Sequence, residues 1–96
     1  MKSPYHIAMR DFVDVHIQWV KDSTPVREWF SHPVLKAYSQ LMQALPRWVS
    51  YNSYADSSVL DDSRVVAFDN ALNEFKDATP ELRASWERVK EVIAAS

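Results

Sequence analysis

The side chains in this 96-residue sequence with the clearest capacity for chemistry are three histidines, His6, His16 and His32, and two carboxylates, Asp11 and Asp14. An imidazole can ligate a metal or move a proton near neutral pH. His6 and His16 stand ten residues apart, which on a straight helix separates them by roughly 15 Å, too far to share one ion. Neither HxxxH nor HExxH occurs, and His16 falls inside an apolar stripe, where it reads as a core or boundary residue. His32, just before Pro33, reads as turn material. Asp11 and Asp14 could share a divalent ion or a proton, but such a site needs further groups converging from elsewhere, and this spacing is ordinary on a solvated helix. Serines cluster in the middle of the chain without a nucleophile motif, and a Gly-x-Ser-x-Gly elbow is impossible in a sequence with no glycine. The absence of cysteine removes disulfides, thiol nucleophiles and thiolate metal sites. The expectation is a non-catalytic protein with no metal and no cofactor.

Two other constellations point to recognition. Residues 48–58 read WVSYNSYADSS, with aromatic rings set among small polar residues and no cation. Tyr and Trp give large contact area at low side-chain entropy, and Ser and Asn supply adaptable hydrogen bonds. The same composition also suits a plain loop. As a binding surface it comprises Trp48, Tyr51 and Tyr54, joined by Trp29 and Phe30 near another helix break. Asp56, Asp61 and Asp62 would steer it towards a basic partner. The second constellation is Lys36, Gln40, Gln43 and Arg47, spaced 4, 3 and 4 along one predicted helix. Preceded by a short helix, it outlines a helix-turn-helix-like segment over 25–47 that could read DNA. The net charge of −2 and the sparse flanking cations count against it.

The elements that position these groups follow from composition and spacing. Average glycine usage of about 7% would give roughly seven here; there are none. That argues against turn-rich β structure and removes the phosphate-cradling glycine loops. Three hydroxyl–proline pairs, Ser3-Pro4, Thr24-Pro25 and Thr79-Pro80, read as helix starts, the hydroxyl capping and proline occupying the first turn. Tyr5, Ala8, Phe12, Val15 and Trp19 share one face; Met9, Val13, His16 and Val20 form a neighbouring stripe, widened by Ile17. Val34, Tyr38, Leu41, Leu45 and Trp48 make the next stripe, broken near Ala44–Leu45 by Pro46. Val65, Phe68, Leu72 and Phe75, then Leu82, Trp86, Val89 and Ile93, give two more, with Ser58 or Asp61 as cap for the first.

The predicted fold is therefore all-α: a compact single-domain bundle of four or five helices ending in an antiparallel helical hairpin. Helices are expected near 4–21, 25–30, 33–45, 59–76 and 80–95, with room for a short one over 46–54. Charge is mildly polarised, +2 over residues 1–49 and −4 over 50–96, short of a nucleic-acid footprint or an acidic tail. No apolar run reaches membrane-spanning length, and the start, MKSPYHIAMRDF, has no signal-peptide pattern. The resulting expectation is a cytoplasmic protein-binding module, an inhibitor, adaptor or regulator that occludes a host or cognate partner, in the manner of small phage- or plasmid-encoded proteins. The alternatives are the DNA-binding segment above and a structural homodimer formed through the broad apolar surface of the first helix.

Overall fold

The hydroxyl–proline starts do what their chemistry allows. In a computed structural model, which describes residues 2–23, 32–75 and 79–95, the Ser3 hydroxyl accepts the His6 backbone N–H at 3.1 Å and α1 runs Pro4–Ser23. The Thr79 hydroxyl likewise accepts from Leu82 at 3.2 Å at the head of α4, Pro80–Ala94. Thr24-Pro25, the expected helix 25–30 and the candidate residues Trp29 and Phe30 lie outside the described residues.

α2 spans Pro33–Ala44. His32 is its N-cap: the ring Nδ1 accepts the Val34 N–H at 3.1 Å, a helix-capping role for an imidazole read from sequence as turn material. Pro46 disfavours helical backbone in the residue before it, and Leu45 is accordingly extended, with φ −82° and ψ 142°. The helix stops there instead of kinking and continuing. Residues 46–54 form no short helix: they are irregular, with a turn closed by Ser53 N–H to the Ser50 carbonyl at 3.0 Å.

The next helix also departs from expectation. A 3₁₀ turn occupies Ser57–Asp61, and α3 begins only at Ser63, running to Glu74. The caps are Asp56 for the turn and Asp62 for the helix, in place of Ser58 or Asp61. Each carboxylate accepts the N–H two residues ahead, at 2.9 Å in both cases. The turn carries Val59 and Leu60 half-buried against the core before α3 sets off.

All four helices send apolar side chains into one core containing Phe12, Leu41, Phe68, Leu82 and Trp86, each almost fully buried. The radius of gyration, 13.0 Å, matches the roughly 12.5 Å expected of one compact domain this long. The closest backbone neighbours are α1 with α4 and α2 with α3. Consecutive α3 and α4 meet through long side chains: Arg83 donates to the carbonyl of Leu72, and Trp86 Nε1–H to Asp69 at 3.1 Å. Lys90 completes that contact with an ion pair to Asp69 at 2.6 Å. Rings fill the centre, with Phe12, Phe68 and Trp86 in mutual contact at centroid separations of 5.0–5.6 Å.

Candidate functional site

Because α2 ends at Pro46, the chain must cross the molecule to reach α3, and it crosses the N-terminal end of α1. There the backbone carbonyls of the crossing segment, left without helical partners, are taken by α1. The Tyr5 hydroxyl donates to the Pro46 carbonyl at 2.8 Å, and the Ser3 hydroxyl to that of Ser53 at 2.5 Å. The Ser3 N–H donates to the Tyr51 carbonyl at 2.5 Å, and His6 Nδ1 to that of Trp48. A carbonyl only accepts, so the last bond fixes the His6 tautomer with its proton on Nδ1. His6 Nε2 is buried without a hydrogen-bond partner among the described residues. Burial pushes the Tyr5 phenol up to about 12, so it remains a donor across the ordinary pH range.

Ring contacts reinforce this crossing segment, residues 46–55, which forms a strap over the head of α1. The Tyr51 ring meets His6 edge-on at 4.9 Å, Trp48 lies 6.1 Å from it, and Lys2 Nζ sits 5.4 Å from the Tyr51 ring centre. Ala55, completely buried, pins the far end of the segment to the core. With the backbone held, three large side chains point outward: Val49, Tyr51 and Tyr54 are 66%, 56% and 71% exposed. Trp48 is half-buried against the core. Beside Tyr54 opens a mainly apolar groove of about 320 Å³, whose other walls are Ser3, Pro4 and Tyr5 and, from the end of α4, Val92 and Ala95. The α4 wall was missed from sequence because Val92 stands off the buried stripe of that helix.

The three acidic candidates divide. Asp56 is exposed, and its hydrogen bonds with Ser58 hold the carboxyl below the ordinary carboxylate range. Asp61 is also exposed. Asp62 is gripped by the Arg64 guanidinium at 3.0 and 2.9 Å, which with the Arg64 backbone N–H holds it down at about 2. Its charge is offset by that arginine, leaving Asp56 and Asp61 as the acidic flank.

The remaining candidates are scattered. Lys36, Gln40 and Gln43 are exposed on α2, but Arg47 lies beyond Pro46 in the strap, so the four do not form one helical row. His16 is a core residue: it stacks on Tyr38 with 3.5 Å between centroids, and burial pushes it down to about 4. Asp11 and Asp14 are exposed on α1, and no group of three metal-ligating side chains converges among the described residues. No described helix is long and apolar enough to cross a membrane. No protein-family model matches the chain, and no curated protein or solved structure shows significant similarity to it.

Proposed function

We propose that this chain is a small non-catalytic protein-binding module that works by covering a surface of its partner. The observation that carries this reading is the combination of outward-facing Tyr51 and Tyr54 with a backbone already fixed to α1 by four hydrogen bonds. Ordering a loop on binding costs affinity, and a loop ordered beforehand avoids that cost. Tyr rings on a fixed backbone add large contact area with few torsions to freeze. The groove beside Tyr54 suits an apolar side chain of the partner, and Asp56 and Asp61 suit basic groups around it. The reading is that of an inhibitor, adaptor or regulator acting in the cytoplasm, of the kind a phage or plasmid encodes.

Affinity capture from lysate of the native host, with and without nuclease, tests it. The expected result is one stoichiometric protein partner that survives nuclease and is lost from a Tyr51→Ala/Tyr54→Ala variant of unchanged helicity. If both rings are interface hot spots, the double variant weakens binding by about 30-fold or more. A partner that the double variant retains at full affinity would move the site elsewhere. Capture that disappears with nuclease would replace the reading with nucleic-acid binding.

A further inference from the structure

We propose that the solvent face of α1 is a self-association surface, pairing antiparallel with the same face of a second copy of this chain. Ile7, Arg10, Asp14, Ile17 and Lys21 follow one another at steps of 3, 4, 3 and 4, and all five are exposed. They form a second stripe, on the side of α1 away from the buried Ala8, Phe12 and Trp19. Ile7 and Ile17 remain 45% and 46% exposed despite their apolar character. The steps keep these five residues in one row along the helix, with isoleucine at two positions and charge at the other three.

The order of residues within the stripe is self-complementary in one direction only. A twofold axis at the level of residue 12 sets Ile7 against Ile17 of the second copy and Arg10 against Asp14, each contact occurring twice. A parallel pairing in register would instead set Arg10 on Arg10 and Asp14 on Asp14. The charges therefore select the antiparallel arrangement. Within the chain, neither Arg10 nor Asp14 joins an ion pair among the described residues. As a pair with Arg on the N-terminal side they have the less favourable helical orientation.

The shape agrees with the charge pattern. A depression of about 220 Å³ opens beside Ile7, edged by Lys2, His6, Arg10, Asp11 and Asp14. The pairing places it opposite Ile17 of the second copy. With only two isoleucines per copy, set outside the central Arg10–Asp14 contacts, the contact is smaller than the roughly 800 Å² per partner of a standard interface. It is therefore a weak, salt-sensitive dimer.

Sedimentation equilibrium of the full chain, from low micromolar to about millimolar concentration, tests the proposal through charge reversal. The 11.1 kDa chain is expected to rise towards twice its mass as concentration increases. Arg10→Asp alone and Asp14→Arg alone should each weaken association at least tenfold. Mixing the two single variants, or combining both changes in one chain, should restore it. Tyr54→Ala should leave it unchanged. All the altered residues are exposed, and helicity measured alongside verifies folding. A wild-type chain that stays monomeric throughout overturns the proposal, as does a dimer indifferent to Arg10→Asp or a mixture of variants that fails to associate.

Discussion

Two sets of aromatic rings sit within this small domain under opposite rules. Phe12, Tyr38, Phe68 and Trp86 lie at helical spacing and close on one another in the core. Tyr51 and Tyr54 stand on the strap, where no helix sets their direction, and they face solvent although the backbone beneath them is fixed. The first set holds the fold together by burial; the second is held by the fold. The difference is one of backbone hydrogen bonding. Core rings ride on helices that satisfy their own carbonyls, whereas the strap's carbonyls are satisfied by Ser3, Tyr5 and His6.

The sharpest way to test that contrast is to delete a core ring. Trp86→Ala leaves a large cavity among Phe12, Phe68 and the Asp69 carboxylate, and should cost about 3–5 kcal/mol by urea denaturation, enough to unfold much of the population. Next in size is the buried imidazole stacked on Tyr38. His16 is held at about 4 in the fold against 6.5 in an exposed site, so the unfolded chain binds its proton more readily between those values. Its contribution is present above pH 6.5 and is lost as pH falls to about 4, a loss of about 2–3 kcal/mol. His16→Leu should flatten that part of the pH–stability curve.

Smaller effects belong to the strap. Tyr5→Phe keeps the buried ring but removes the bond to the Pro46 carbonyl, and should cost about 1 kcal/mol. Amide exchange at residues 50–53 should accelerate more than exchange in α3, which would separate strap loosening from global destabilisation. Smallest of all, Tyr54→Ala should change stability by no more than about 0.5 kcal/mol. A large loss there would mean that the exposed ring is structural, and the contrast between the two sets would collapse.

Local features were legible in the sequence because their causes are local. Ser3-Pro4 and Thr79-Pro80 cap within one turn, Pro46 acts on the residue before it, and the spacing of Val65, Phe68 and Leu72 reports one helix face. The two-step entry into α3 was not legible, because Ser58, Asp61 and Asp62 can all cap and only packing of Val59 and Leu60 selects among them. Long-range partners left still less trace. The bonds from Tyr5 to Pro46 and from Ser3 to Ser53 join residues 41 and 50 positions apart, with nothing at either end to announce the other. The exposure of Tyr51 and Tyr54 was not legible, because residues 46–54 had room for a short helix and WVSYNSYADSS suits a plain loop as well as a surface; the groove wall from Val92 and Ala95 depended on α4 lying against α1. Ile17 reads from sequence as widening the apolar surface of α1, and only accessibility shows that it and Ile7 lie on a separate, exposed face.

That α1 packs against α4 has a consequence for synthesis. Phe12 and Trp19 emerge from the ribosome early, while Trp86, Val89 and Ile93 follow some seventy residues later. At elongation rates of about 5–20 residues per second the interval is about 4–14 s. Throughout that time the buried face of α1 lacks α4, so its need for chaperone protection should end only when translation has passed Ile93.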